Sequence, residues 1–481
     1  MEQIELQELL KTPTKLVDKI KTLAPTIPDD AINFEPEQHK IVLDKTYRPD
    51  RKVETPTGKD ASTGEVTYTT NYIPVHRIPS ATQKLIIDWS VFFALGNGVN
   101  IDATPREKVA TDQVMIDMLQ RTLDDNKFSF LAQEIERIKQ RFLTVLLVWY
   151  SVPAEEGFWS DIASSASKFK MRCTILSPKD GDTIVPIRDQ YKDMIGAARY
   201  YVVKVDDKEV NKMDLFLQDK YMTFKQDSAG WVEEKSTAIP YGKANFILDE
   251  QERTEWADVA AKIERLEEID SDNSDENQQS AFPILVATGD ILAATGGGAS
   301  NTRKTFEMSG EGADLKYVES KGGQESASNE RKNVRADVFI ETATPDFKFE
   351  DISGDLPGVT VEMMLLPTTN KAKGKQQGSI GMFHQRNFNF LKAAMAVINV
   401  SVKPSVSLPI KPLFSIPLPR NLTEESNRAI ALVGAGLMST RTAVTSLGFT
   451  KDIDAEIEAI EKEVAARALL VKPVTPPPVT I

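Results

Sequence analysis

The chain has 481 residues, 41% of them hydrophobic, enough for roughly two to four domains with real cores. Its 71 acidic and 58 basic residues leave a net charge of −13, which excludes tight wrapping of nucleic acid by the whole surface but suits the wall of a channel through which a polyanion slides. No run reaches the about eighteen apolar residues of a membrane span, the start MEQIELQELL lacks the pattern of a signal peptide, and the lone Cys173 excludes an intramolecular disulfide, so cytosolic synthesis without membrane association is expected.

Residues 1 to 70 are charged and broken by Pro and Gly, as in TPTGKDASTGEVTYTT, and read as an arm plus a short hairpin. In IPSATQKLIIDWSVFFALGNGVNI, Pro79, Ser80 and Gln83 predict a capping-box start for an apolar helix that Gly96-Asn97-Gly98 ends. NKFSFLAQEIERIKQRF predicts a second helix and LTVLLVWYSV a buried strand. KMRCTILSPKDGDTIVPIRD, AARYYVVKVDD, KMDLFLQDKYMTFKQD and GWVEEK predict alternating strands, completing an α+β domain that ends near Leu248.

LDEQERTEWADVAAKIERLEEID then sets Trp256, Val259, Ile263, Leu266 and Ile269 at spacings of 3, 4, 3 and 3, one face of a helix whose other faces are charged. Asp249 and Glu252 resemble its capping box. The insert ATGGGASNTRKTFEMSGEGADLKYVESKGG carries two strand-like pieces, KTFEM and LKYVE, and SASNERKNVRADVFIET leads back as a second helix, with Val334 and Val338 on its packing side. Its run Val338-Phe339-Ile340 favours strand, so the end of this helix is open. The order helix, Gly-rich insert, helix describes a helical hairpin with a compact β tip. In TPDFKFEDISGDLPG, Pro345, Gly354, Pro357 and Gly358 make the chain bend and return. GSIGMFHQRNFNFLKAAMAVINV places Ile380, Phe383, Phe388, Leu391, Met395 and Ile398 on one helical face before Pro404 stops it. The tail is helical after Thr423, between Ser439 and Gly448, and along the stripe Ile453, Ile457, Ile460 and Val464, and it ends in the polyproline-like KPVTPPPVTI, expected to be disordered.

No catalytic set assembles. Gly298-Ala-Ser-Asn-Thr-Arg303-Lys304-Thr305 nearly spells a phosphate-binding loop but lacks the second Gly and precedes a strand-like segment. Gly434-Ala-Gly436 follows a helix and reads as a C-cap. His39, His76 and His384 have no partner at metal-ligand spacing, and the acidic run DSDNSDENQ, residues 270 to 278, lacks the Gly and terminal Glu of a calcium loop and reads as a solvated helical face. Neither metal nor cofactor is expected.

Two stretches, IERLEEIDSDNSDENQQSAFPILVATG and NERKNVRADVFIETATPDFKFEDISGDLPGVTVEMMLLPTTNKAKG, together with IPSATQKLIIDWSVFFALGNGV and SPKDGDTIVPIRDQYKDMIGAARYY, resemble the portal proteins of tailed bacteriophages, in particular those of long, non-contractile-tailed phages. The resemblance runs from Ile73 to Val464. It implies a non-enzymatic portal fold, α+β with wing, helical stem, β-containing clip and helical crown, in a cyclic ring of usually twelve subunits at a capsid vertex of the virion. Double-stranded DNA would be packaged and ejected through it; the alternative is a structural tail or scaffold ring with no DNA in its lumen. The implied divisions are an arm at 1–70, the wing at 71–250, the first stem helix at 251–284, the clip at 285–323, the second stem helix at 324–343, the tunnel loop at 344–360, the wing return at 361–420, the crown at 421–471 and the tail at 472–481. The implied partners are the terminase large subunit, later the head-completion adaptor, and the major capsid and scaffolding proteins. Stem packing falls to Trp256, Val259, Ile263, Leu266, Ile269, Val334 and Val338. Docking by the clip falls to Arg303, Lys304, Phe306, Lys316 and Tyr317, and contact with DNA to Asp346, Phe347, Lys348, Phe349, Glu350, Asp351 and Asp355.

Overall fold

The computed structural model describes residues 3–27, 31, 33–59, 66–162, 167–280, 284–295, 305–318, 323–346, 362–417, 422–450 and 452–470. In chain order, helices α1 (Gln3–Leu9), α2 (Pro13–Lys21) and the short α3 (Lys40–Leu43) precede a hairpin of β1 (Arg51–Lys59) and β2 (Val66–Ile73). Then come α4 (Thr82–Leu95), β3 (Val99–Asp102), α5 (Thr111–Asp125), α6 (Phe128–Phe142), β4 (Thr144–Pro153), β5 (Phe169–Leu176), β6 (Thr183–Arg188), β7 (Met194–Val205), β8 (Lys208–Leu217), β9 (Lys220–Asp227), β10 (Gly230–Ala238) and β11 (Phe246–Glu250). The long helix α7 (Ala260–Ser280), the hairpin β12 (Ile284–Thr295) and β13 (Thr305–Val318), and α8 (Gly323–Glu341) follow. Last are α9 (Leu366–Gln377), α10 (Ser379–Ile398), β14 (Lys411–Phe414), α11 (Leu422–Gly434), α12 (Thr440–Leu447) and α13 (Ile453–Leu470).

Two compact units result, residues 1–346 with 367–416, and residues 347–366 with 417–481. In the first, β6 to β10 form an antiparallel meander. Alternation sends Val185, Ile187, Ala198, Met213 and Leu215 to one face, where Leu6, Leu16, Val17 and Ile20 of α1 and α2 cover them. The intervening Ile184, Ala197 and Phe216 face the second sheet, ordered β11-β4-β5, and meet Leu146, Val148, Leu176 and Leu248. β4 is apolar on both sides because α6 and α10 lie behind it: Phe128 packs its ring 6.0 Å from Trp149, whose Nε1 donates to Asn387 at 2.8 Å. The second unit holds α11 to α13; Ser439 caps α12 by accepting from the Thr442 amide at 3.1 Å, and Gly448 ends it at a φ of 67°.

Several local expectations give way to tertiary contacts. Asp249 does not cap a helix; it lies in β11 opposite Val145, its carboxylate on Lys139, and α7 starts eleven residues later at Ala260. Ser80 does not cap α4 either, because its Oγ and amide both reach Glu267. The β-branched run at Val338 stays helical to Glu341, since Val338 and Phe339 are buried in a helix-packing core that outweighs a propensity difference of well under about 1 kcal/mol per residue. α10 ends at Ile398, before Pro404, which sits inside a 3-10 turn from Val400 to Ser407. KTFEM and LKYVE belong to one continuous strand, β13.

Candidate functional site

The first unit carries an antiparallel helical hairpin. Trp256 and Val259, on the approach to α7, and Ile263 and Leu266 on the helix form one core with Ile86, Ile87 and Val91 of α4 and Val338 of α8; Val334 packs against its margin, and Ile269 is also buried. Along the outer seam, Arg331 grips Asp270, Arg265 reaches Glu330 at 2.9 Å, and Lys262 reaches Glu341 at 2.6 Å. These cross-helix pairs are largely exposed and fix register more than stability.

The acidic face of α7 is covered by the N-terminal segment. His39 Nδ1 meets Glu267 at 2.6 Å with both side chains buried, Tyr47 donates to Glu268, and Arg48 spans Asp272 at 2.6 Å and Asp275 at 2.5 Å. His76 also meets Asp275, at 2.7 Å. The run at 270–278 is thus an ion-paired docking face rather than a merely solvated one, and no metal-holding cluster occurs among the described residues. Phe34 packs on Trp256 with centroids 5.6 Å apart.

The base of the hairpin is a buried ionic network. Lys139 of α6 lies 2.6 Å from Glu136 and 3.0 Å from Asp249. Lys371 and Lys375, one turn apart on α9, converge on Glu255 at 2.5 and 2.8 Å, and Lys371 also donates to the carbonyl of Thr342 just beyond α8. Burial raises Asp249 to about 6 against the pull of Lys139. Burial also pushes Glu136 and Glu255 up, but their lysines outweigh it and hold both below the ordinary carboxyl value. Lys139 is raised because Glu136 and Asp249 outweigh its desolvation. The network joins the start of one hairpin helix, the end of the other and the body. It offers no open acid or base: Glu136 and Lys139 are almost wholly inaccessible. His384, lowered to about 3 by burial among Phe128, Phe383 and Phe414, and Cys173, raised to about 12 by burial, are equally unsuited to chemistry. Such an arrangement positions helices; it does not turn over a substrate.

Residues 38–468 match the family described as "Phage portal protein, SPP1 Gp6-like". The chain belongs to that portal family. Portal proteins are structural components rather than enzymes. No curated protein sequence matches this one. Among solved structures, a chain titled "Virion of native gene transfer agent (GTA) particle" is similar at 13% identity, covering 77% of this chain and 89% of its own with a TM-score of 0.36. Chains from "Neck of empty GTA particle computed with C6 symmetry" (13% identity, 77% and 89% covered, TM-score 0.35) and "Neck of native GTA particle computed with C12 symmetry" (13%, 76% and 90%, TM-score 0.35) are similar as well.

Within this portal protein, the residues singled out from the sequence are distributed unevenly. The packing residues of the helical hairpin come together in one core, as above. Phe306, Lys316 and Tyr317 lie on β13, in register with Ala294, Val286 and Leu285 of β12. Arg303 and Lys304 fall outside the described residues, as do Phe347, Lys348, Phe349, Glu350, Asp351 and Asp355 and the tail from 471. Asp346 is described: Arg335 holds it through two bonds, at 2.9 and 3.2 Å, so its carboxylate is tied to α8. Thr305 opens a strand, and so the Gly298 segment cannot lead into the helix that a phosphate-binding loop requires. The ionic base escapes sequence reasoning, because Glu136, Lys139, Asp249, Glu255, Lys371 and Lys375 lie on four separate segments; the only local signal is the i,i+4 pair of lysines in KAKGK.

Proposed function

We propose that this portal protein assembles as a cyclic ring, of twelve copies by family resemblance, at one capsid vertex, and that double-stranded DNA is packaged and ejected through its axis. Membership of the portal family across residues 38–468 carries this reading. The helical hairpin with its β12–β13 tip supports it, and we assign α7 and α8 to a stem and residues 285–323 to a clip that docks first the terminase large subunit and then the head-completion adaptor. An acidic chain, at −13, fits a wall along which DNA slides, since each phosphate neutralised by the protein would strengthen the grip. Capsid and scaffolding proteins would surround the ring in the host cytoplasm and then in the virion.

Negative-stain microscopy and mass photometry of the purified full chain test the assembly. Rings with an open axial channel are expected; particles of 53.4 kDa alone, over a range of concentration and salt, would refute it. Rings that form but remain empty of DNA in filled particles would indicate the tail or scaffold component instead.

The proposed tunnel loop, residues 344–360, carries Asp346, Glu350, Asp351 and Asp355 against Lys348. Changing Glu350, Asp351 and Asp355 to Lys in rings of native architecture is expected to slow packaging, most at low salt and with relief at higher salt. Packaging at the wild-type rate across salt would remove this loop from the DNA path.

A further inference from the structure

The hairpin of β1 and β2 has no role in the reading above. Among the described residues no other helix or strand packs along it, and every β2 side chain is exposed, with Tyr68 at 59% and Tyr72 at 68%. A two-stranded hairpin standing alone in water is marginally stable at best. Yet its base is held firmly. Arg77 bonds Asp50 at 2.9 Å across the two strand ends, and Arg48 and His76, just outside them, both engage Asp275 of α7. From that fixed base the nine residues of β1 extend about 30 Å at about 3.3 Å each. A fixed root with a bare blade is the geometry of an arm that lies on another molecule.

The two edges of the blade differ. β1 carries Arg51, Lys52 and Lys59, and its Pro56 coincides with a register shift between Pro56 and Gly58, features that block strand addition. β2 reads VTYTTNYI, without Pro, Gly or any charge in a chain that is 27% charged. Val66, Tyr68 and Tyr72 alternate onto one face. A strand without cations does not suit a phosphate backbone, whereas an uncharged Thr/Tyr/Val edge suits a protein surface or a second sheet edge. The blade needs its cover from the time the chain folds, before capsid, motor or DNA is engaged. A second copy of the chain is the partner present then.

We propose that the β1–β2 hairpin is an intersubunit arm, lying by its β2 edge and tyrosine face across the neighbouring copy. The proposal rests on the ring reading and names a contact within it. The test places a photoreactive benzoylphenylalanine at Tyr72 of the full chain and irradiates purified rings. A covalent dimer of twice the 53.4 kDa chain mass is expected. In parallel, Tyr68→Glu with Tyr72→Glu should leave the circular dichroism and unfolding of the body unchanged while raising the concentration at which rings half-dissociate at least tenfold. Rings that give no interchain product, or a double variant that assembles as the wild type does, overturn the arm alone. A wild-type chain that stays monomeric at every concentration overturns the ring reading, and the arm with it.

Discussion

Replacing Lys139 with Met is expected to lower the unfolding free energy of the first unit by about 3–5 kcal/mol at neutral pH. Lys139 is 1% exposed and is the shared partner of Glu136 and Asp249, themselves nearly as buried. Met approximates the volume of the Lys stem, so the loss comes from charge: two carboxylates are left in a poorly solvated site with only Lys375, 3.9 Å from Glu136, nearby. The loss should depend on pH. Asp249 is already raised to about 6 in the folded chain, against about 3.9 when unfolded, so its contribution is fully present below about pH 4 and is lost as pH rises through 6. Removing Lys139 raises both carboxyls further and steepens that loss. Urea unfolding should therefore show a large penalty at pH 7 that shrinks at pH 4, with an unchanged slope against denaturant. Adding Glu136→Gln and Asp249→Asn to the variant should recover most of the stability, because neutral amides need no counter-charge. A penalty below about 1 kcal/mol at pH 7, on the scale of an exposed pair, would mean that the network is solvated.

The legible parts of this fold were those governed by neighbours along the chain. The 3.6-residue stripe from Val259 to Ile269, the continuous apolar run of β4, the alternating strands of the meander and the Ser439 cap all follow from local periodicity or turn chemistry, and all appear. The failures share one cause, a polar residue recruited by a distant partner. Asp249 has the sequence surroundings of a cap but is taken by Lys139, 110 positions away; Ser80 is taken by Glu267, 187 away. The N-terminal helices were missed because Leu16, Val17 and Ile20 make too short a stripe to stand out among Pro and Lys, although Pro13 at the first turn was a usable signal. α5 was passed over despite Met115, Met118, Leu119 and Leu123, all of which are buried. The acidic run of α7 looked solvated because Arg48 and His76 are about 200 positions upstream, beyond any window on which periodicity acts.

Trp256→Ala is expected to cost about 3–5 kcal/mol, the range for emptying a large aromatic from a core. Trp256 is 1% exposed and precedes α7 by a single 3-10 turn, so it is the point at which the helical hairpin is rooted in the body. Four segments meet around it: Phe34 of the N-terminal segment, Ile86, Ile87 and Val91 of α4, Val259 and Ile263 leading into and along α7, and Val338 of α8. These elements are braced by the ionic base on one side and by the His39 and Glu267 pair on the other, and so they cannot collapse freely into the space; the value should fall near the upper end of the range. Because Phe34 touches the same indole, Phe34→Ala and Trp256→Ala should be non-additive, with a coupling of about 0.5–3 kcal/mol. Hydrogen exchange should report the loss first in the amides of α4 and the near ends of α7 and α8, and leave those of β7 to β9 protected. Urea unfolding that shows a loss under about 1.5 kcal/mol, or equal loosening of the meander, would show that the hairpin is not rooted through this residue and that the ionic network alone holds it to the body.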